Sequence, residues 1–372
     1  MADHAEYDVV VVGGGAAGIG AAIALQHAGI RNHLVLERDQ VGASFAQWPI
    51  ETRFLTPSFP TNSIGMLDLN SVAIGVSPGY SMDTEHPTGQ HYAMHLRSVA
   101  QHFGVPVCEH VEVQRIENDA PGFTVVMRDV SLRARHVIWA AGEFQYPRQD
   151  GFHGSDLCQH TASVVSYEDL DGSDFIVIGG YESGVDAAYH LAYHNKRVRL
   201  FDRGCPWEET SSDPSVALSP FTLDRMREDW FLERVDLYPS TSITSVARAG
   251  DGYEITASDG LRYRTDNSPL WAGGFEGSHR LVADLFETRD DGFPLLNSND
   301  ESTLTPGLFL CGPAVRHDNQ VFCFIYKYRQ RFAVVAKAVA TSLGLPAEGL
   351  ESYRDWGMYL DDLSCCGEEC VC

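Results

Sequence analysis

The sequence predicts an α/β molecule built from two copies of one strand–turn–helix–strand unit, and three observations predict it. The run Tyr7–Val12, YDVVVV, is continuous and β-branched, as expected of a strand buried on both faces of a parallel sheet. The cluster Gly13-Gly14-Gly15-Ala16-Ala17-Gly18 follows it and opens an Ala-rich helical pattern, and a second apolar run, HLVLE, ends the unit at the acid Glu37. The same order recurs downstream: the run Asp174–Ile178, the turn Gly179–Gly184, a helical pattern over Val185–Tyr193, and a strand Val198–Phe201 ending at Asp202. Two such units predict two Rossmann-like dinucleotide-binding domains. Between them VEVQRIE, FTVVMRD and RARHVIWAAG read as a short β-ribbon and a returning strand, so each domain is expected to carry a small β-ribbon layer.

Composition agrees with two domains and narrows the function classes. A chain of 372 residues, 44% hydrophobic and 21% charged, can bury a sizeable core. No stretch approaches the roughly 18–20 consecutive apolar residues that span a bilayer. The opening residues Met1–Tyr7 are polar and acidic rather than leader-like, so a cytoplasmic enzyme is expected. A net charge of −24 argues against nucleic acid, whose phosphates reward basic surfaces, and against an anionic membrane. Lys196, Lys327 and Lys337 are the three lysines among 27 basic residues, a bias that fits genome composition or a salt-adapted host. The acidic surface chiefly means solubility.

The first glycine cluster has the spacing GxGxxG between a strand and a helix. Gly13 permits the tight turn, Gly15 lets the backbone approach a pyrophosphate, and Gly18 lets helix and strand pack closely. Ala16 and Ala17 begin the helix, whose unpaired N–H groups and positive dipole end face the phosphates. Glu37, with Arg38 beside it, ends the second strand where an acid accepts hydrogen bonds from the adenosine ribose.

Several segments carry a family likeness across nearly the whole chain. They are Trp48-Pro49, the loop Phe54-Leu55-Thr56-Pro57, the segment Val137–Pro147 with Ala140-Ala141-Gly142, the related Ala272-Gly273-Gly274, the stretch Thr305–Gly312, and His317-Asp318-Asn319 followed by Val321-Phe322. On these the chain resembles the flavoproteins with two dinucleotide-binding domains, the group of thioredoxin reductases and flavin monooxygenases, and within it the bacillithiol-disulfide-reductase-like proteins. The resemblance implies FAD at the first turn, with Trp48, Ala141, Gly142, Gly312 and Phe322 among its contacts. It implies that the Thr305–Gly312 segment returns to touch the ribityl chain and that a helix follows whose N-terminus faces the reduced ring. It also implies a homodimer and an inserted middle domain: FAD-binding residues 1–148 and 304–363, a nicotinamide-nucleotide-type domain over 149–303, and a separate tail over 364–372.

The second turn departs from its pattern. Gly179-Gly180-Tyr181-Glu182-Ser183-Gly184 has Tyr181 where the middle glycine stands. A ring there obstructs approach to a pyrophosphate, and Glu182 adds negative charge beside the phosphates. Asp202, followed by Arg203, suits a ribose 2′-hydroxyl and opposes a 2′-phosphate, so NADH is favoured over NADPH. Two readings stay open: an NAD(P)H site with an unusual turn, or a domain that keeps the fold while electrons come from elsewhere.

No CxxC or CxxxxC dithiol occurs in the body of the chain. The stretch Phe152–His160 has the Phe, Gly and His of a monooxygenase motif with two extra residues between them, a broken match. Cys108, Cys158, Cys205, Cys311 and Cys323 are scattered singly, and an isolated cysteine is ordinarily a small buried hydrophobe. Cys323 stands apart because it precedes the helix expected to face the flavin. Cys365, Cys366, Cys370 and Cys372 crowd the last eight residues. They fit a redox shuttle exchanging by thiolate attack, a soft-metal site, or an inert tail. The leading expectation is an FAD-dependent thiol/disulfide oxidoreductase drawing electrons from NAD(P)H, with these four cysteines and Cys323 as its catalytic thiols. Its partner is a small-molecule thiol or disulfide, or a redox-partner protein. The alternatives are an NAD(P)H-dependent flavin monooxygenase, and a thiol oxidase or soft-metal-linked flavoprotein without a working nicotinamide site.

Overall fold

A computed structural model of the chain describes residues 6–61, 65–119, 121–211 and 213–365. The tail residues Cys366, Cys370 and Cys372, and the side chain of Cys365, lie outside this description.

The first unit runs from β1 (Glu6–Val12) through helix α1 (Ala16–His27) to β2 (His33–Leu36). β2 lies parallel to β1, with Val9 opposite His33 and Val12 opposite Leu36. Val9, Val10 and Val11 have no exposed surface, as the unbroken apolar run requires of a strand covered on both faces. Four further strands follow: β3 (Val107–Cys108), β4 (Val113–Asn118), β5 (Phe123–Met127) and β6 (Ser131–Trp139). They complete the order β3-β2-β1-β6-β5-β4. The ribbon of this half is therefore the antiparallel continuation of the main sheet, reached through the long strand β6.

The second unit builds its own parallel sheet. Its strands are β7 (Gln159–His160), β8 (Asp174–Ile178), β9 (Arg197–Phe201) and β10 (Val235–Tyr238), with helix α2 (Glu182–Tyr193) between β8 and β9. A separate antiparallel layer of β11 (Ile243–Ala249), β12 (Gly252–Ala257) and β13 (Arg262–Thr265) lies beside it. β14 (Leu270–Trp271) re-enters the parallel sheet, giving the order β10-β9-β8-β14-β7. The chain then returns to the first sheet, where β15 (Leu308–Leu310) pairs with the C-terminal half of β6. Helix α3 (Phe332–Ser342) closes against α1, so tightly that a Cβ on Gly20 would lie 2.1 Å from the Phe332 ring.

The two segments that carry the chain between the sheets pair with each other. Arg148 N–H donates to Gly274 O at 3.0 Å and Ser278 N–H to Gly142 O at 3.0 Å. Gly142 and Gly274 hold φ of +68° and +77°, a conformation that costs glycine nothing.

The helix expected just after Cys323 begins at Ile325, and a hairpin of Arg316–His317 and Gln320–Val321 fills the stretch between it and Gly312. The hairpin is pinned by a buried charge cluster: Asp300 accepts from Arg331 at 2.8 Å and lies 2.5 Å from His317 Nε2, and neither Asp300 nor Arg331 is exposed. Among the described residues no helix is long and apolar enough to cross a membrane.

Candidate functional site

The first glycine turn sits at the C-terminal edge of its sheet, where nucleotides bind α/β folds. Gly13 has φ of +109°, and a Cβ there would meet Ala140 O at 2.5 Å. A Cβ on Gly18 would lie 1.8 Å from Gly13 O, so this glycine lets α1 press on β1. Gly15 differs from both: its backbone is ordinary (φ −81°, ψ −169°) and a Cβ would touch nothing within 4 Å. It faces a cavity of about 420 Å³. Glu37 fixes the turn from below, taking Gly14 N–H on Oε2 at 2.6 Å and Asp39 N–H on Oε1 at 2.8 Å.

That cavity gathers most of the first-domain residues singled out from the sequence. Gly13, Gly15, Ala16 and Ala17 line it with Glu37 and Arg38. Trp48, Ala141, Gly142 and Cys323 line it too. Gly18 lies behind the turn. Gly312, with φ of +110°, backs onto Ala17, where a Cβ would approach the methyl group to 3.1 Å. Phe322 is turned into the core, with its ring near His317 and Arg331.

An open glycine face at a helix N-terminus, an acid at the end of the adjacent strand, and a long cleft with apolar walls suit an extended anionic cofactor such as FAD. The volume falls within the range of about 300–1,000 Å³ usual for cofactor sites.

Cys323 is, among the described residues, the cysteine that lines the cavity. Its Sγ lies 3.1 Å from Ser215 Oγ. Burial pushes the thiol above its ordinary range, against the pull of the Ser215 hydrogen bond and of the Lys327 and Arg316 charges. Cys108, Cys158, Cys205 and Cys311 are free thiols away from it. Burial drives the Cys158 thiol to about 12 and that of Cys311 higher still.

Among the polar groups lining the cavity that were not singled out from the sequence are Glu143, Thr52 and Asp186. Glu143 follows the Ala141-Gly142 segment, and burial raises its carboxyl although Arg316 pulls the other way. Thr52 Oγ1 donates to Asp186 Oδ2 at 2.7 Å and so ties the first domain to α2. Burial opposes ionisation of Asp186, yet His190 at 3.3 Å, Arg225 at 2.8 Å and the Thr52 hydroxyl hold its carboxyl well below the usual range. An acid set among the small apolar residues of VDAAYHLA was the available signal for Asp186; Glu143 offered none.

The residues of the broken monooxygenase match are engaged in packing. Phe152 meets the Trp271 ring edge-on, a Cβ on Gly154 would lie 1.9 Å from Val246 O, and His160 Nε2 is 3.1 Å from Gly274 O. His317 likewise belongs to the Asp300–Arg331 cluster.

The second turn repeats the first up to its middle residue. Gly179 has φ of +98° and Gly184 lies where a Cβ would be 1.7 Å from Gly179 O. Asp202 takes Gly180 N–H at 2.6 Å and Gly204 N–H at 2.7 Å, as Glu37 serves the first turn, and Arg203 is exposed. Tyr181 has the backbone of Gly15 (φ −85°, ψ −170°), but its hydroxyl reaches Pro214 O at 2.8 Å and Ala217 O at 2.7 Å. Glu182 accepts from Ser219 N–H and Thr222 Oγ1, each at 2.5 Å, while Ser183 stays exposed.

Known proteins place this arrangement in a family. The pyridine nucleotide-disulphide oxidoreductase family pattern matches residues 10–312. An alkyl hydroperoxide reductase component of Staphylococcus epidermidis is 24% identical over 332 residues, 86% of this chain but only 56% of that protein, so the chain spans little more than half of that relative. Bacilliredoxin reductase Bdr of Bacillus subtilis is 22% identical over 347 residues, 89% of this chain and 97% of that one. Among solved structures, bacillithiol disulfide reductase Bdr of Staphylococcus aureus superposes with a TM-score of 0.73 at 20% identity, covering 91% of this chain and 99% of that one. A flavin-containing monooxygenase of Stenotrophomonas maltophilia gives 0.68 at 18% identity, covering 91% of this chain and 99% of that one. These likenesses carry the shared fold, and the matched pattern carries more: the chain belongs to the pyridine nucleotide-disulphide oxidoreductase family.

Proposed function

We propose that this oxidoreductase is an FAD-dependent thiol/disulfide oxidoreductase. The observation that carries the reading is one cavity that joins the open face of Gly15 to the thiol of Cys323. Residues 1–148 and 304–363 form the FAD-binding part and residues 149–303 the nicotinamide-nucleotide part. FAD held there supplies two-electron chemistry between a hydride donor and a disulfide. The Gly13–Gly18 turn and the N-terminus of α1 hold its pyrophosphate, and Glu37 takes the ribose hydroxyls with the lone pairs left after its two backbone bonds. Trp48, Ala141 and Gly142 wall the cleft.

A disulfide substrate takes two electrons and two protons and leaves as two thiols. Cys323 is the cavity thiol available for exchange, and Lys327 and Arg316 stabilise its thiolate once the proton has gone. The Cys365-Cys366 pair with Cys370 and Cys372 is the proposed relay to a small-molecule disulfide or a redox-partner protein. It starts just beyond Leu363, whose carbonyl accepts from Gln320 Nε2 at 3.0 Å, beside the hairpin that leads to Cys323. Asp202, already the anchor of the second turn, opposes a 2′-phosphate, so NADH is the preferred nicotinamide donor over NADPH. A cytoplasmic homodimer is part of the same proposal.

The test is anaerobic mixing of the FAD-loaded protein with NADH and NADPH in turn, followed by a disulfide. Bleaching of the visible flavin absorbance faster with NADH, and its recovery on adding disulfide, is the expected result. No bleaching with either nucleotide removes the nicotinamide donor from the reading. A chain ending at Leu363 that reduces disulfides at the full rate removes the tail from it.

A further inference from the structure

The ten residues 213–222 touch both halves of the proposed reaction at once. At the second turn, the Tyr181 hydroxyl is bound to the carbonyls of Pro214 and Ala217, and the Glu182 carboxylate to Ser219 and Thr222. The Trp207 ring lies so close to Gly180 that a Cβ there would approach it to 2.6 Å. In this state the Tyr181 ring and the Glu182 carboxylate obstruct the backbone of the turn to a pyrophosphate, while Glu182 and Ser183 line the same cavity as Gly15. Tyr181 stands where Gly15 leaves open space, and the carboxylate of Glu182, the first residue of α2, already sits at the positive helix end.

The other end of the same segment is latched to the flavin side. Lys327 Nζ donates to Asp213 Oδ1 at 2.6 Å and to Ser215 Oγ at 2.8 Å, and Ser215 Oγ in turn covers Cys323 Sγ at 3.1 Å. The Lys327 side chain is 6% exposed and that of Asp213 23%, so the pair is partly shielded from solvent. Every bond named here joins residues far apart in sequence; Asp213–Val216 is the more exposed end of the segment, while Ala217–Ser219 and Thr222 are buried against the second domain and Pro220 opens a short helix.

We infer that residues 213–222 form a strap that closes the second nucleotide turn and the cavity thiol together, so that a nicotinamide nucleotide and a disulfide gain access through one opening movement. The inference rests on the proposed roles of the second domain and of Cys323. Closed, the strap withholds the thiol from stray oxidants while no donor is bound. Nucleotide binding selects the open state, and the bound nucleotide thereby uncovers Cys323.

The test uses the FAD-loaded full chain and non-reducing NAD⁺, so that no turnover is needed. Two quantities are read: NAD⁺ affinity by calorimetry, and the rate of Cys323 alkylation by iodoacetamide, located by peptide mass. NAD⁺ at saturation should speed Cys323 alkylation in the unaltered protein. Tyr181→Phe, which keeps the ring and loses the hydroxyl bonds, should bind NAD⁺ and alkylate at Cys323 about tenfold better, a change of ~1.4 kcal/mol. Lys327→Met supplies a sign test. Losing the Lys327 charge alone slows alkylation by raising the thiol pKa, whereas releasing the latch speeds it. NAD⁺ binding with no change in Cys323 alkylation overturns the strap, as does faster alkylation in Tyr181→Phe at unchanged NAD⁺ affinity. Failure of both proteins to bind NAD⁺ overturns it too. If the chain binds NAD⁺ and uncovers Cys323 yet reduces no disulfide, the strap stands and the proposed activity falls.

Discussion

The two glycine turns of this chain share a backbone but not an occupant. At each, the outer glycines are demanded by the fold: Gly13 and Gly179 by positive φ and a facing carbonyl, Gly18 and Gly184 by helix-on-strand contact under 2 Å from any Cβ. At each, an acid at the end of the next strand takes one N–H of the turn, Gly14 or Gly180, and the N–H two residues beyond itself. The middle position alone differs, and its φ and ψ are the same within a few degrees whether Gly15 or Tyr181 fills it. The outer glycines thus report the fold, while the middle one reports whether something must approach the backbone.

The largest effect should come from making the first turn resemble the second. Gly15→Tyr places a ring in the cavity without disturbing φ, so the protein should fold and lose FAD. A loss of affinity of about a thousandfold, ~4 kcal/mol, is expected from flavin content after dialysis and from titration of the apoprotein. Retained flavin would mean that the pyrophosphate does not pass the Gly15 face.

Next come the packing glycines. Gly18→Ala and Gly184→Ala each put a methyl group within 2 Å of a carbonyl oxygen, and each should destabilise its domain by about 3 kcal/mol in urea unfolding. The comparison predicts equal losses for the two without cofactor. A much smaller loss at Gly184 would mean that the second turn relaxes where the first cannot.

Smaller still is the effect at the anchoring acids. Glu37→Gln and Asp202→Asn each replace one carboxylate oxygen with an NH₂ group that cannot accept a backbone N–H, at a cost of about 1–3 kcal/mol apiece. The losses should match in apoprotein. With FAD present, Glu37→Gln should in addition weaken flavin binding, while Asp202→Asn leaves it unchanged.

What was legible in the sequence follows the same division. Strands β1 and β8, the helices behind the glycines, and the acids Glu37 and Asp202 depend on neighbours a few residues away, so local pattern is enough to find them. The obstruction at Tyr181 could be read because one residue type stands where another is required. The strap could not, because DPSVALSPFT has neither helical nor strand period and its role comes from Lys327 and Cys323, more than 100 residues away. The Asp300–Arg331–His317 cluster and the buried Glu143 were hidden for the same reason, whereas the helix expected after Cys323 begins at Ile325 as its local pattern suggests.

The gentlest probe of the comparison is the pH profile of Cys323. The thiolate is the form that alkylates, so the rate follows the deprotonated fraction. Burial favours the neutral thiol and moves the profile to the alkaline side, although the Ser215 hydrogen bond and the Lys327 and Arg316 charges pull it back. The exposed Cys108 in the same digest supplies a reference profile. Opening the strap with Tyr181→Phe lets water reach the thiolate, while Lys327 and Arg316 keep their charge. The profile should then move to lower pH, in addition to the rise in rate at every pH. A faster rate with an unmoved profile would mean that the strap limits access alone. A profile that moves without a faster rate would mean that it tunes the thiol without covering it.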